Sequence, residues 1–457
     1  MKRFLIFLLL TLLVFPAFAV TQADLHEALL SNNPDIKKAR AEVSKALLDV
    51  KDAKAGYTPT IDFTVTGSYI ANPIDPIRIN LSDYVNSGLL GTNNDYITVF
   101  GGQESMYYQF SLQLTQPIFT WGKLSMAVQI YQAIYEARVL QLEDVIEQAE
   151  TELSTRVAAL HFLLQIQSLL LDQLQITARL VQLADDAYAN GMMLATDALG
   201  VKVQARQLDV AKSQIDQQVL LMMTNIRNLT GLADLESSDI VFDESSFEAS
   251  LENLLASDYA ALVSKCLSDA RTNFQLLSKM SEIAKLSNGI AGASVNWKPD
   301  FALVVNADYS GSRLPLVETD WYGKDDWSAT ITVAMKTTLY DGGKAVRNVN
   351  RTADDVNSAQ VDIQSAKAKI RATVDENWTN MAVCMAQMEY QTALEAQLDS
   401  QLEVKKKLLD TGYGSESDYL QVQLERNNCE IQILQTRISL ATALNTLLYL
   451  EGDAHRQ

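Results

Sequence analysis

Four short stretches of the chain alternate between apolar and polar residues. This period of two is typical of a β-strand with one apolar and one polar side. Each run is about ten residues long, the length of a strand that crosses a membrane. The apolar positions of the four runs are Ile61, Phe63, Val65, Gly67 and Tyr69; Tyr108, Phe110, Leu112 and Leu114; Phe301, Leu303, Val305, Ala307 and Tyr309; and Trp327, Ala329, Ile331, Val333 and Met335.

Each pair of strands is followed by an unusually long helical stretch. Neither proline nor glycine occurs between Gly122 and about Ala189, or between about Gly343 and Thr411. At 1.5 Å per residue, each stretch predicts a helix of roughly 100 Å. Glycine then marks a turn, and a second helix returns along the first. The sequence therefore predicts two long antiparallel helical hairpins.

The two halves of the chain repeat each other at a spacing of 221 residues. The segment from Phe119 to Lys123 returns as Tyr340 to Lys344, and Gly191 returns as Gly412. The prolines before the first and third strands, Pro59 and Pro299, are instead 240 residues apart. We infer a tandem duplication of one large unit, in which the first copy has the longer loop between its strands.

The remaining segments complete a prediction of the chain's organisation. We expect a helix over residues 22–57 with Asp24 as its N-cap, a long loop from Ala71 to Glu104, an irregular acidic segment from Ala233 to Asp258, and a helix from about Tyr259 to Ser294. The predicted divisions are a signal peptide (1–19), a first repeat (20–231), a linker (232–258) and a second repeat (259–457).

The first residues have the features of a secretory signal peptide. Lys2 and Arg3 precede an apolar run that ends at Phe15, and Ala17-Phe18-Ala19 forms a small-x-small cleavage site. Its removal takes the formal charge from −19 to −21. Such an acidic chain is unsuited to nucleic acid, whose binding depends on cationic contacts with phosphate.

Reactive chemistry is not indicated. The three cysteines, Cys266, Cys384 and Cys429, are far apart on helical stretches and lack CxxC partners, so we interpret them as core residues. No HExxH, GxSxG or P-loop pattern occurs. The sequence predicts neither an enzyme nor a bound cofactor or metal.

Alternation by itself fits either a soluble sandwich, with the apolar sides facing each other, or a membrane barrel, with the apolar sides facing lipid. The signal peptide and the aromatic residues near the strand ends favour the barrel. No later segment has 18 uncharged apolar residues in a row, so a hydrophobic helix is not the expected route into a membrane. Four strands cannot close a barrel, so several chains would have to share one.

These residues resemble the TolC family of outer-membrane channels. The resemblance is carried by the opening pattern from Leu25 to Ala39, by Ala53 to Pro59, by Gln116 to Lys123 with its echo at Leu339 to Lys344, and by the turn from Tyr188 to Asp197. It covers essentially the whole mature chain.

The resemblance implies an α+β membrane protein. Three chains would share a twelve-stranded β-barrel in outer-membrane lipid, continued by a periplasmic α-barrel of helical hairpins. The linker at 232–258 and the C-terminal end would lie in an equatorial belt around the α-barrel. It also implies a passive exit duct for drugs and other small molecules, working with a periplasmic adaptor and an inner-membrane transporter. The alternatives are the exit duct of a type I protein secretion system and, with less support, a periplasmic coiled-coil adaptor without a pore.

The candidate functional residues lie at the two hairpin turns. By resemblance, Gly191, Met192, Gly412, Tyr413 and Gly414 form the periplasmic tips that dock the adaptor. Glycine suits a turn that needs positive φ.

A second set follows each turn: Thr196 and Asp197, and Ser417 and Asp418. They are predicted either as N-caps of the returning helices or as rings of carboxylates at a constriction.

The second turn departs from the family pattern. The best-known family member holds its closed tip with a tyrosine and an arginine, where this chain has Leu409 and Gly414. A second tip aspartate is replaced by Gln421. The family's lock is therefore not expected here.

Overall fold

A computed structural model describes residues 21–80, 96–295, 298–311 and 327–452. The chain divides into two compact units. One, which contains the strands, comprises Ala46–Ile134 and Ser281–Asn357; the other, which is helical, comprises Met1–Lys45, Tyr135–Met280 and Ser358–Gln457. The predicted signal peptide lies outside the described residues, and the predicted domain boundaries remain predictions.

The predicted long hairpins are present. In chain order the elements are α1 (Gln22–Asn32), α2 (Pro34–Ala55), β1 (Thr60–Tyr69), β2 (Ile77–Asn80), β3 (Tyr96–Phe100), β4 (Met106–Phe119), α3 (Lys123–Ala189), α4 (Ala195–Thr230), α5 (Glu244–Ala256), α6 (Tyr259–Cys266), α7 (Thr272–Ala293), β5 (Asp300–Gly311), β6 (Trp327–Lys336), α8 (Lys344–Asp410) and α9 (Glu416–Glu451). The bounds of α3 and α4 recur 221 residues later as those of α8 and α9.

The four predicted strands form one antiparallel sheet in the order β1-β4-β5-β6. Its register aligns Ile61, Leu114, Val305 and Ile331 in one row across the sheet, and Asp62, Gln113, Asn306 and Thr330 in the next. Because side chains alternate along a strand, successive rows point to opposite faces. The sheet therefore has one apolar and one polar face.

The apolar face is exposed along the edge strands β1 and β6. Ile61, Phe63 and Val65 on β1 are 63%, 65% and 55% exposed. An aromatic row extends from Phe63 through Phe110 and Tyr309 to Trp327, with neighbouring ring centroids 5.0–6.3 Å apart. This arrangement does not match a soluble sandwich, in which this face would be buried.

The predicted loop from Ala71 to Glu104 is only partly irregular. It contains β2 and β3, which pair as a separate two-stranded antiparallel sheet. Residues 81–95 of the same loop lie outside the described residues. The two strands are only 4 and 5 residues long, and runs this short carry little periodic signal.

The predicted helix over residues 22–57 is two helices that meet at Asn33. The Asn33 side-chain oxygen accepts hydrogen bonds from the backbone N–H groups of Asp35 and Ile36, which starts α2, and Pro34 occupies its first position. Asp24 is not the N-cap of α1. Thr21 has that role, and Asp24 completes a capping box from the third helical position.

The predicted irregular segment from Ala233 to Asp258 contains α5. Asp243 caps this helix, and Phe247 and Leu254 are buried. The predicted helix from Tyr259 is likewise divided, into α6 and α7. This segment was predicted to be irregular because it is acidic and contains few apolar residues at helical spacing.

In the helical unit, the two hairpins pack side by side through α3 and α9. Ile176 and Leu180 of α3 cluster with Leu420 and Leu424 of α9. Farther along, Asn445 of α9 donates to Thr155 of α3 at 3.2 Å. Within the hairpins, α4 lies against α3 and α9 against α8, as in the ion pair between Arg426 and Asp399. The helices are therefore ordered α4-α3-α9-α8.

The cysteines are core residues, as predicted. All three are free and buried. Burial raises the pKa of the Cys266 thiol to about 11, so this thiol stays protonated and unreactive at neutral pH.

Helix α3 contains a stretch that is long and apolar enough to cross a membrane by length and composition alone. Half of that stretch is buried within the chain, as expected for a core helix.

The joint between strand and long helix has the same backbone conformation in both repeats. Trp121 and Gly122 have φ of 54° and 79°, and their counterparts Gly342 and Gly343 have φ of 67° and 79°. In the second joint, the Asp341 carboxylate accepts hydrogen bonds from three backbone N–H groups at the start of α8. These bonds lower the pKa of Asp341 below its usual value of 3.8.

The Asp341 carboxylate should stop stabilising the start of α8 when it is protonated in acid. A carboxyl group whose pKa is lowered on folding stabilises the fold above its unfolded pKa, and that stabilisation is lost as pH falls through the folded value. We expect Asp341→Ala to speed hydrogen exchange at the amides of residues 343–346 at neutral pH, and to have a much smaller effect well below pH 3.8. Thr120, its counterpart in the first joint, provides the matched position: Thr120→Ala should leave exchange at residues 343–346 unchanged. Equal effects of Asp341→Ala at both pH values would contradict this role.

Candidate functional site

The first hairpin tip is a short turn that is stabilised by its own backbone. The N–H of Met192 donates to the carbonyl of Ala187 at 2.8 Å, across Gly191 at φ 70°. This bond is the long hydrogen bond of a Schellman motif, which ends a helix with a left-handed residue. Gly191 therefore has the positive φ that the sequence predicted.

The second tip repeats this geometry. The N–H of Tyr413 donates to the carbonyl of Leu408 at 3.0 Å, across Gly412 at φ 78°. Gly414 is needed for a different reason, since a Cβ atom there would lie 2.8 Å from the backbone nitrogen of Leu409. The departure from the family pattern at this position therefore has a local steric cause.

Each tip exposes a large side chain at its apex. Met192 is 82% and Tyr413 is 89% exposed, and the two are counterparts in the repeat. Leu194 adds a further apolar side chain at the first tip, where it is 70% exposed. Exposed aromatic and methionine side chains are typical of surfaces that bind another protein.

The predicted N-caps are wrong. The N-caps are Leu194 for α4 and Ser415 for α9, and neither makes a side-chain cap hydrogen bond. The sequence candidates Thr196, Asp197, Ser417 and Asp418 lie at the second and third positions inside these helices. The turns end sooner than predicted, so these residues already have helical backbones. The two aspartates still interact favourably with the helix dipole.

The two tip aspartates have different electrostatic surroundings. Asp418 forms an ion pair with Lys405 at 2.8 Å. The Asp197 carboxylate accepts a weak hydrogen bond from Thr196 at 3.4 Å, and the structure gives it no cationic partner among the described residues. The charge of Asp418 is therefore largely compensated, and that of Asp197 is not.

An ion pair that the sequence did not indicate joins the hairpins near the tips. Arg179 of α3 donates two hydrogen bonds to the carboxylate of Glu416 on α9, at 2.8 and 2.9 Å. The bonds lower the pKa of Glu416 below its usual value. These residues are 237 positions apart and belong to different repeats, so no local spacing could have identified them.

In the described parts of the chain, no group of three or more His, Cys, Asp or Glu side chains could hold a metal ion. The described residues instead form repeated hairpins with exposed tips, joined in sequence to a sheet with one apolar and one polar face.

The sequence matches the family described as outer membrane efflux protein over residues 25–232 and 269–453. The chain belongs to this family. It is an efflux channel of the outer membrane that extends into the periplasm, and the family's members are passive channels rather than enzymes.

Solved structures of outer-membrane proteins share the fold. The CmeC channel of Campylobacter jejuni is 13% identical, with a TM-score of 0.71 over 95% of this chain and 86% of that one. VceC of Vibrio cholerae is 17% identical, with a TM-score of 0.69 over 94% and 96% of the two chains. The MtrE channel of Neisseria gonorrhoeae, described in an open state, is 12% identical, with a TM-score of 0.59 over 95% and 89%. Among curated proteins, none matches this sequence.

The need for glycine at the first tip can be tested by substituting Gly191 and, for comparison, Gly200. Gly191→Ala places a Cβ at positive φ, which costs roughly 1–2 kcal/mol. Hydrogen exchange of the backbone at residues 187–193 should then accelerate by roughly 5- to 30-fold. Gly200→Ala is the control, because Gly200 lies inside α4 with open space around it and no positive φ. That substitution should slow exchange in α4. Unchanged exchange in Gly191→Ala would contradict the assignment.

Proposed function

We propose that three copies of this chain form one passive exit duct for small molecules, such as drugs and toxic compounds. The duct would receive them from an inner-membrane transporter through a periplasmic adaptor. The observation that supports this most directly is the sheet, which has a continuous apolar face and, in the described part of the chain, an unpaired edge on each side, at β1 and β6. Such a sheet is a fraction of a barrel.

The lipid environment explains why other copies are needed. Backbone groups cannot remain unpaired in hydrocarbon, so a sheet in lipid must close on itself. Four strands are too few to close, whereas three chains would supply twelve. The apolar face would then meet lipid, and the polar face, with Asp62, Gln113, Asn306 and Asp308, would line a watery lumen.

The tips supply the proposed docking surface for the adaptor. Met192 and Tyr413 are more than four-fifths exposed, although burying such side chains is favourable. Both are attached to backbone turns that are closed by their own hydrogen bonds. We therefore assign adaptor docking to Gly191, Met192, Gly412, Tyr413 and Gly414, with the glycines shaping the turns and the large side chains making contact.

Small-molecule efflux is preferred to type I protein secretion because the family that matches is an efflux family. The two functions differ in an observable way. Cells that lack this chain should retain more of a fluorescent efflux dye and become more sensitive to toxic compounds, with their secreted proteins unchanged. Loss of one secreted protein with normal dye efflux would overturn the small-molecule proposal.

Introducing charged residues at the tips tests whether the tips dock the adaptor. We expect Met192→Asp combined with Tyr413→Asp to abolish export while the trimer still forms, because each lost contact at the centre of an interface costs about 2 kcal/mol or more. Val241→Asp serves as the control, since Val241 is an apolar residue that is 52% exposed and lies outside the tips. Dye efflux and native electrophoresis of detergent extracts measure the two properties. Normal efflux by the double variant would contradict docking through these side chains.

If Asp197 and Asp418 form a constriction, removing the charge of Lys405 and removing the charges of the two aspartates should shift ion selectivity in opposite directions. Lys405→Gln should raise the preference of single channels for cations, because it leaves the Asp418 charge uncompensated. Asp197→Asn combined with Asp418→Asn should lower that preference. Reversal potentials in a salt gradient measure both changes. If neither variant shifts the potential, the tips do not set selectivity.

A further inference from the structure

The two ends of the four-stranded sheet differ in charge. Because the strands are antiparallel, β1 and β5 begin at the end where β4 and β6 finish, and the long helices α3 and α8 start there. We call this the helical end of the sheet. It is made of segments 51–60, 117–125, 298–300 and 336–351, which contain eight Lys or Arg and three Asp. Their net charge is therefore +5, in a chain whose formal charge is −19.

The opposite end of the sheet has the reverse balance in its sequence. Segments 70–105 and 312–326, which join the strands there, contain three Lys or Arg and eight Asp or Glu, a net charge of −5. Cations are thus concentrated at one end of the sheet instead of being spread over it. Because this channel extends from the outer membrane into the periplasm, the end that continues into the long helices is the periplasmic one.

Two aromatic rings connect the apolar face of the sheet to its helical end. Phe119 is opposite Phe301 in the register, and Phe301 is opposite Met335, so Phe119 belongs to the apolar face. Trp121 follows just after the strand, and its ring centroid is 4.9 Å from that of Phe119. The two residues are 39% and 49% exposed. Exposed rings at the end of an apolar face are typical of the boundary between hydrocarbon and lipid head groups.

Lys298 places a positive charge next to these rings. Its ammonium group lies 5.8 Å from the Trp121 ring centroid, within the range of a cation–π contact. The Trp121 indole is itself held by a hydrogen bond to the carbonyl of Pro299 at 2.9 Å. Lys298 is exposed. No carboxylate forms an ion pair with it among the described residues, and Asp300 pairs instead with Lys123 at 3.0 Å. The charge of Lys298 is therefore uncompensated.

The second joint between strand and helix has a similar combination. Tyr340, the counterpart of Phe119, is 88% exposed. Lys344, the counterpart of Lys123, is exposed and has no ion-pair partner in the described part of the chain. The nearby Asp341 carboxylate is occupied by three backbone N–H groups at the start of α8. Both joints thus combine an exposed aromatic ring with an unpaired lysine.

We propose that the helical end of the sheet binds the head groups of anionic phospholipids in the periplasmic leaflet of the outer membrane. At the first joint, Phe119 and Trp121 lie at the boundary of the acyl chains, and the ammonium group of Lys298 pairs with the lipid phosphate. Lys344 and Tyr340 make the corresponding contact at the second joint. Basic residues near a membrane surface attract anionic lipid, and their effects combine.

A lipid is the occupant that the structure favours because the rings and the lysine continue the apolar face. A free anion would pair with Lys298 but would leave the neighbouring rings exposed to water. A phospholipid satisfies both parts, since its phosphate and its acyl chains are joined in one molecule. This inference rests on the lipid contact of the proposed function, but it does not depend on the number of copies in the duct.

Native mass spectrometry of the mature protein in mild detergent tests the site. The protein is mixed with equal amounts of phosphatidylglycerol and phosphatidylcholine, which have the same acyl chains but differ in net charge. We expect the wild-type chain to bind phosphatidylglycerol in preference. Lys298→Gln should lower that preference about five-fold, because one basic residue near the membrane contributes about this factor. Lys298→Arg should retain the preference, because it keeps the charge and the cation–π contact.

A second lysine and a free anion provide the controls. Lys369 is exposed and lies 25 residues beyond the start of α8, so Lys369→Gln should leave the lipid preference unchanged. Inorganic phosphate, added at constant ionic strength, should not displace phosphatidylglycerol. Equal binding of the two lipids by the wild-type chain would overturn the proposal. An equal loss of preference in Lys369→Gln and Lys298→Gln, or displacement of the lipid by phosphate alone, would also overturn it.

Failure of the inference can be separated from failure of the proposed duct, because oligomeric state and dye efflux are measured on the same variants. Trimers that export dye without any lipid preference would refute this site and leave the duct intact. A monomeric chain that does not export dye but retains the lipid preference would refute the duct alone.

Discussion

The edges of the four-stranded sheet impose the constraint on which the rest of the molecule depends. Among the described residues, strands β1 and β6 each pair on one side only, and the apolar side chains on both of these edge strands are exposed. In water, this apolar surface and its open strand edges would promote aggregation. In lipid, the unpaired backbone N–H and C=O groups of the edges would cost too much free energy. Both problems would be removed by the proposed arrangement, in which identical sheets pair edge to edge and the apolar face contacts lipid.

The duplication makes that arrangement possible. The hairpins of both repeats have helices of equal length, 67 residues going out and 36 returning, so their tips fall at equivalent positions. The joints that start the long helices also share one backbone conformation, even though Trp121 stands where the second repeat has Gly342. A non-glycine residue at positive φ is uncommon, and here its indole is held by Pro299. Outside the hairpins the repeats differ in length, since Pro59 and Pro299 are 240 residues apart instead of 221, and β4 is longer than its counterpart β6.

Each tip combines a hydrogen-bonded backbone turn with a large side chain that is exposed to solvent. Backbone hydrogen bonds end each outgoing helix, so Met192 and Tyr413 are presented in a set direction without being packed. Near them the charges are mostly paired, by Lys405 with Asp418 and by Arg179 with Glu416. Such exposed pairs contribute little to stability. They orient neighbouring helices, whereas Asp197 has no cationic partner among the described residues.

The sequence by itself determined the duplication, the four strands, both long hairpins and the glycines at their tips. These features follow from periodicity and from the positions of glycine and proline, which act over a few residues. It also indicated, by resemblance, the family to which the chain belongs. It missed the break at Asn33, the helix α5 and the true N-caps, because short elements depend on single capping bonds and on a few core contacts. Only the tertiary structure decided the strand register, the α3–α9 contact and the Arg179–Glu416 pair. Those interactions join residues far apart in the chain, where distance in sequence carries no information about distance in space.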